Sequence, residues 1–327
     1  MPISNAINTA SLPGINEQSF FIAPKTQDDA VAAAGWRTMH FVSDSVARSQ
    51  ALNDDPEYGG DNSSVDASDP IAGDISVSGN LSTRLCLNES CELLGYAMGA
   101  STPSGDAPNF EHVFKSGKAQ LPIFDGIFEA AGGRKTIDKA VLGGFSMAFG
   151  REAAFQKIDF RVTAREADFA AENALAGAAP SYNRDFITKA GWDVLINDVA
   201  IGRLLTSSLD FNTNINEDRY LGTNLTADDF YVGNATLTGT HRIRYSDAAA
   251  LGIYQGPAVP HKVEFVGTSL SGKTISILMP RVSAPRPSPK QDGTLLDYDV
   301  TWAAAKVEGE TPQPMMTVTV QNSTPSF

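Results

Sequence analysis

The stretch Gly73-Asp74-Ile75-Ser76-Val77-Ser78-Gly79-Asn80-Leu81-Ser82-Thr83-Arg84-Leu85 alternates residue by residue. Ile75, Val77, Gly79, Leu81, Thr83 and Leu85 fall on one side of an extended chain, and Asp74, Ser76, Ser78, Asn80, Ser82 and Arg84 on the other. That is the pattern of a strand with one buried face. Far downstream Gly233-Asn234-Ala235-Thr236-Leu237-Thr238-Gly239 opens a second such strand, with His241, Ile243 and Tyr245 on its apolar side and Arg242, Arg244 and Ser246 on its polar side. His241 is therefore expected as a core residue, neither a ligand nor a base.

The two strands belong to a longer ordered repeat. Ala34-Gly35-Trp36 returns as Ala190-Gly191-Trp192, and the acidic turn Asn53-Asp54-Asp55-Pro56-Glu57-Tyr58 resembles Asn216-Glu217-Asp218-Arg219-Tyr220. After the paired strands, Lys135-Thr136-Ile137 matches Lys273-Thr274-Ile275. Ile158-Asp159-Phe160-Arg161-Val162-Thr163 matches Leu296-Asp297-Tyr298-Asp299-Val300-Thr301. Each fragment alone is at chance level, but five kept in one order argue for a duplicated unit.

Leu87, Cys91, Leu94 and Met98 recur at helical spacing after the first strand. Asn88 is placed to cap that helix, Glu89 and Glu92 occupy its first turn, and Gly99 stops it. An amphipathic helix with Cys91 on its buried face follows, and Ser246 to Gly256 repeats its start, length and stop. The small, unpatterned run Ala170 to Pro180 reads as a linker. This divides the chain into an N-terminal arm (1–30), a first domain (31–170), a linker (171–182), a second domain (183–322) and a tail (323–327). Each domain is expected to be an antiparallel β-sandwich with a short flanking helix. Ala284-Pro285-Arg286-Pro287-Ser288-Pro289-Lys290 is expected as an exposed loop outside any sheet. Asp54 to Pro70 is a long acidic loop without large aliphatics, of a length that is usually functional or disordered.

Composition agrees with a mainly β protein. In 327 residues, 42% are hydrophobic and only 19% charged, enough apolar material for one large core or two ordinary ones. A net charge of −13 argues against a grip on nucleic acid, which needs clustered Lys and Arg. No apolar run reaches the roughly 20 residues of a membrane span, and Met1 to Gln18 lacks the form of a secretory leader, so synthesis in the cytoplasm is expected. Cys86 and Cys91 are the only thiols, while His40, His112, His241 and His261 are scattered, which gives no zinc pattern and no disulfide framework. The Asn-x-Ser/Thr triplets, such as Asn80-Leu81-Ser82, carry no glycosylation message without a leader.

One motif points elsewhere. Gly267-Thr268-Ser269-Leu270-Ser271-Gly272-Lys273-Thr274 fits the phosphate-loop pattern in full, after a strand-like Lys262 to Val266. That chemistry needs a helix starting at the Lys-Thr end, so that its N–H groups hold the phosphates. Ile275-Ser276-Ile277-Leu278-Met279-Pro280 instead alternates and is β-branched, which predicts a strand and makes the motif a turn. Asn197-Asp198 reads as a hairpin turn, not a magnesium ligand, and Asp228-Asp229 as a polar turn, not an acid–base pair. With no nucleophile, metal or paired-acid constellation elsewhere, no catalytic residue, cofactor or metal is assigned.

The strand Gly73 to Gly79 entering a helix that ends Leu93-Leu94-Gly95-Tyr96-Ala97-Met98-Gly99, followed by Leu221-Gly222-Thr223 and Leu237-Thr238-Gly239, resembles the tail tube proteins (major tail proteins) of long-tailed bacteriophages. The likeness runs from about Trp36 to Asn322 and lies in the order of loose motifs. It implies a virion structural protein without enzymatic activity, whose inner sheets join around a ring into a continuous barrel. Rings stack through loops and an extended arm into a tube that DNA traverses, capped by other tail proteins. Such rings are commonly hexamers of one domain. Two domains per chain would fill the same ring with three chains, the alternative being six whole chains. A capsid decoration or baseplate protein would have the same composition, and a nucleotide hydrolase is the reading that the phosphate-loop pattern alone would give.

Two expectations follow. Asp54, Asp55, Glu57, Tyr58, Asp61, Asp66 and Asp69 in the long loop are candidate contacts to a neighbouring ring. The polar strand faces should line the bore and be net negative, with Arg84 and Arg242 outnumbered or paired by carboxylates, so that DNA is not gripped.

Overall fold

Strand forms wherever the sequence alternates. The computed structural model describes residues 19–25, 35–53, 71–130, 133–152, 154–170, 181–202, 204–221, 225–244, 259–287, 289–292, 295–307 and 314–325. In chain order the strands of the first part are β1 (Ser19–Lys25), β2 (Arg37–Met39), β3 (Ser43–Asp44), β4 (Ala47–Asn53) and β5 (Ile71–Arg84). Helix α1 (Glu89–Met98) follows, then β6 (Ser104–Asp106), β7 (Asn109–Lys115), β8 (Ile123–Ala130), β9 (Gly133–Phe149) and β10 (Lys157–Ala170). The second part holds β11 (Ile187–Ile196), β12 (Val199–Ala200), β13 (Leu204–Asn212), β14 (Ile215–Asp218), β15 (Asp229–Val232) and β16 (Thr236–Arg244). Last come β17 (His261–Ser269), β18 (Thr274–Ser283), β19 (Pro289–Asp292), β20 (Leu295–Ala304) and β21 (Thr317–Asn322). The protein is mainly β, and among the described residues every pairing between these strands is antiparallel.

The pairings trace two parallel paths. In the first part β1 pairs β8, β8 pairs β9, β9 pairs β10, β10 pairs β5 and β5 pairs β4. In the second part β11 pairs β17, β17 pairs β18, β18 pairs β20, β20 pairs β16 and β16 pairs β13. The segments matched in sequence fall at corresponding steps, Lys135 to Ile137 in β9 and Lys273 to Ile275 at the start of β18, Ile158 to Thr163 in β10 and Leu296 to Thr301 in β20. The Ala-Gly-Trp pair does not, because Trp36 precedes β2 whereas Trp192 lies within β11.

Two seams join the paths. The last residues of β9, Gly144 to Phe149, pair with β13 in a register that sets Asp210 opposite Ser146. The C-terminal strand β21 pairs with both β18 and β7, and β7 pairs β6. Backbone bonds add to this, Leu87 N–H to the Asp185 carbonyl at 2.9 Å and Ile187 N–H to the Leu85 carbonyl at 3.2 Å. The buried apolar side chains accordingly form one cluster containing Leu81, Phe145, Phe160, Phe211, Phe265 and Trp302 from both parts. Alternation at β5 and β16 is as the sequence dictates: Ile75, Val77, Leu81, Leu237, His241 and Ile243 are buried.

Three expectations are corrected here. Helix α1 is not a surface helix with one apolar stripe, since Glu89, Ser90, Cys91, Glu92, Leu93, Leu94, Tyr96, Ala97 and Met98 are all buried. Nor does the Asn88 side chain cap it; Oδ1 accepts from Ser323 N–H at 3.1 Å and Nδ2 donates to the Asn183 carbonyl at 2.7 Å, tying the helix start to the C-terminus and to the second part. The proline-rich stretch also enters a sheet, with Pro289 opposite Tyr298 and Lys290 opposite Asp297 in the β19–β20 pair. An edge strand tolerates proline because only one of its sides must donate. The second expected helix (246–256), the linker residues 171–180 and the acidic loop 54–70 lie outside the described residues.

Candidate assembly surface

The path β4–β5–β10–β9–β13–β16–β20–β19 is one hydrogen-bonded sheet crossing both parts of the chain. Because strand residues alternate sides, burying Val77, Phe160, Phe211 and Leu237 turns Ser76, Ser78, Asn80, Thr163, Ser208, Asp210, Thr238 and Thr240 to the opposite face. Hydroxyls bridge neighbouring strands there, Ser49 to Ser76 at 2.9 Å and Ser208 to Thr240 at 2.8 Å.

The β9–β13 seam depends on close backbone approach. Gly144 has φ +124°, and a Cβ there would overlap the Phe211 carbonyl oxygen. Beside it, a Cβ on Gly239 would overlap both the Ser208 carbonyl oxygen and the Trp302 indole. Arg161 of β10 clasps the seam, donating from Nη2 to Asp210 at 2.6 Å and from Nη1 to the Phe211 carbonyl at 3.0 Å.

Charges on this face meet in pairs. Asp297, fully buried, accepts from Arg242 Nη2 at 2.9 Å and Arg244 Nε at 3.0 Å. Loss of water raises its pKa, but the hydrogen bonds from Arg244 and Arg242 outweigh that and hold the carboxyl below the usual range. Asp299 lies 4.0 Å from Arg242 and 3.8 Å from Lys290. Asp159, matched in sequence to Asp297, accepts from the Ser82 hydroxyl, and Arg84 lies over the Phe155 ring at 5.4 Å. On this face Arg161, Arg242 and Arg244 are each paired with a carboxylate, as expected of Arg242. Six of the chain's acids fall within Asp54 to Pro70, which has no Lys or Arg. The candidate contacts Asp54, Asp55, Glu57, Tyr58, Asp61, Asp66 and Asp69 lie outside the described residues.

Polar groups buried behind the sheet are structural in their contacts. Glu89 bonds His40, whose other ring nitrogen meets Arg184, and Glu92 accepts from the Tyr182 hydroxyl. Desolvation raises the pKa of both carboxyls despite these partners. The sequence places these acids in the first turn of α1, and nothing local shows that β7 and β9 enclose that turn. His241 is buried with Nδ1 at 2.9 Å from the Ser207 hydroxyl, and desolvation lowers its pKa to about 3. Burial likewise raises the Cys86 and Cys91 thiols.

The phosphate-loop pattern is a turn. Ser269 ends β17 and Thr274 begins β18, with Ser269 N–H donating to the Lys273 carbonyl at 2.8 Å. Lys273 Nζ reaches the Pro108 carbonyl at 3.2 Å. With a strand in place of a helix after Lys273, its N–H groups cannot converge on a phosphate. Asn197 and Asp198, with φ of 50° and 67°, form the hairpin turn between β11 and β12, and Asp198 accepts from Lys262 at 2.5 Å. Asp228 and Asp229 serve the β14–β15 hairpin: Lys139 Nζ donates to the Asp228 carbonyl at 2.8 Å and to Asp229 at 3.1 Å. No group of three or more metal-ligating side chains occurs among the described residues, and no described helix is long and apolar enough to cross a membrane.

A broad antiparallel sheet, polar on one face, packed on the other and running through both parts of one chain, defines an antiparallel β-sheet protein. The chain matches the phage tail tube protein family over residues 16–321 and belongs to that family. It is thus a structural protein of the phage tail, of a family that assembles into the tube with other tail proteins. No curated protein matches it.

Proposed function

We propose that the chain forms the wall of the tail tube, as rings that close around a DNA channel and stack end to end. The observation that carries this reading is the β9–β13 seam, where two like pairing paths stand side by side in one continuous sheet. Repeating that seam from chain to chain curves the sheet into a barrel and removes its exposed edges. Each chain then supplies two units as an internal duplication, residues 31–170 and 183–322, and three chains complete a ring of pseudo-sixfold symmetry.

The polar face lines the bore in this arrangement. Its hydroxyls and its matched Arg–Asp pairs leave few free cations to hold phosphates, so a polyanion slides past a wall that neither grips nor strongly repels it. The acidic loop, through Asp54, Asp55, Glu57, Tyr58, Asp61, Asp66 and Asp69, makes the contact to the adjacent ring. The protein is made in the host cytoplasm and ends in the virion.

Electron microscopy of the purified, assembled protein tests this. Long hollow cylinders are expected. Isolated particles that bind only to capsids or baseplates would overturn the reading in favour of another virion role.

A further inference from the structure

The continuous sheet ends in β4 on one side and β19 on the other. Among the described residues, β4 takes its strand partner from β5 alone and β19 from β20 alone. We infer that these edges are the two halves of a chain-to-chain seam, β4 of one copy pairing antiparallel with β19 of the next, with Ala47 opposite Lys290. This rests on the ring reading above and specifies its contact.

The register comes from the seam inside the chain. There Asp210 of β13 lies opposite Ser146 of β9. Asp210 is fixed by its other neighbour, Thr238 of β16. Thr238 corresponds in the repeat to Ser78, and Ser78 of β5 lies opposite Ala47. Ala47 therefore holds the place of Asp210. In the same way Ser146 lies opposite Asp159 of β10. Asp159 corresponds to Asp297, and Asp297 lies opposite Lys290 of β19. Lys290 holds the place of Ser146. Translating Asp210↔Ser146 gives Ala47↔Lys290, and one step along gives Arg48↔Pro289.

Exposure at the edges agrees. Leu52 on β4 is 68% exposed, a large apolar residue on an open strand. Its counterpart in the internal seam is Ile215, whose side chain packs over Gly143, 3.2 Å from where a Cβ would be. The place of Gly143 in the second part is taken by Pro287, just before β19, so Leu52 of one chain would cover Pro287 of the next. Pro289, Lys290 and Gln291 are exposed as well. A short strand with proline and lysine resists indiscriminate pairing and leaves the edge to its proper partner.

The test is cysteine cross-linking in assembled tubes. Ala47→Cys/Lys290→Cys and Arg48→Cys/Pro289→Cys are assembled under reductant and then oxidised. One pair falls at a hydrogen-bonded and the other at a non-hydrogen-bonded position, so at least one brings the thiols within reach. Non-reducing gels should show covalent ladders that stop at three chains, while each single variant stays monomeric. Hydrogen exchange on the unmodified chain is the second readout, with the amides of Ala47 to Leu52 and of Lys290 to Asp292 becoming at least tenfold slower in tubes than in unassembled protein. Normal tubes with neither cross-linking nor added protection would sink the edge pairing and leave the ring reading standing. Failure of the unmodified protein to make tubes would sink the ring reading itself.

Discussion

Arg161 and Asp210 meet across the internal seam, the guanidinium Nη2 donating to the carboxylate at 2.6 Å while Nη1 holds the Phe211 carbonyl at 3.0 Å. Both side chains are part exposed, so solvent screens the pair and its contribution is modest. Arg161→Ala is expected to reduce stability by about 1 kcal/mol, read from urea unfolding, with the carbonyl bond accounting for much of it. Asp210→Asn should have less effect, because the amide oxygen still accepts from Arg161.

Gly144 and Gly239 allow backbones to approach where a side chain cannot fit. Gly144→Ala combines a clash with an unfavourable φ, and Gly239→Ala pushes against Trp302. Each should cost about 3 kcal/mol or more. Thermal unfolding measures this; a drop of under about 1 kcal/mol in both would mean that the seam is looser than described.

Burial of His241 sets an acid limit. Its pKa of about 3 in the folded chain lies below that of an unfolded histidine near 6.5. Between those values the unfolded chain binds the proton and the folded chain does not, so stability falls as pH drops through the window. At about 1.4 kcal/mol per unit the loss is of order 5 kcal/mol. His241→Gln should flatten that slope, and an unchanged slope would remove His241 as its source.

Glu92 works in the opposite sense. Its raised pKa lets the folded chain keep a proton that the unfolded chain has released, so its contribution is greatest at low pH and is lost as pH rises through the raised value. Gln in its place can still accept from Tyr182. Glu92→Gln should therefore gain on the parent as pH increases from 4 to 8, and a difference constant with pH would contradict this. Comparing each variant with its parent at every pH separates the Glu92 and His241 effects, which overlap.

Lys273→Ala should bind nucleotide no differently from the parent, with neither giving heat in calorimetry, and should shift stability by under about 1 kcal/mol, because the lysine only reaches the Pro108 carbonyl. Magnesium-dependent ATP binding lost on substitution would revive the phosphate-loop reading.

The strands were legible because burial on one side imposes alternation, and β5, β16, β17 and β18 each carry it clearly. The turn at Ser269 to Thr274 was legible for the same reason, since Ile275, Ile277 and Met279 alternate into the core and exclude the helix that a phosphate loop requires. The β9–β13 seam was not. Alternation in Phe145, Met147 and Phe149 states that a strand exists but not which distant strand lies beside it. Pro289 misled because proline argues against an interior strand, whereas β19 is an edge. Glu89 and Glu92 misled because acids in a first turn usually face water, and only the tertiary enclosure of α1 by β7 and β9 buries them.

The central claim is that one chain fills two places in a closed ring. The most direct measurement is the mass of isolated rings by native mass spectrometry, joined to an end-on image of the tube. Three full-length chains with sixfold-like features are expected. Six full-length chains per ring would contradict the account.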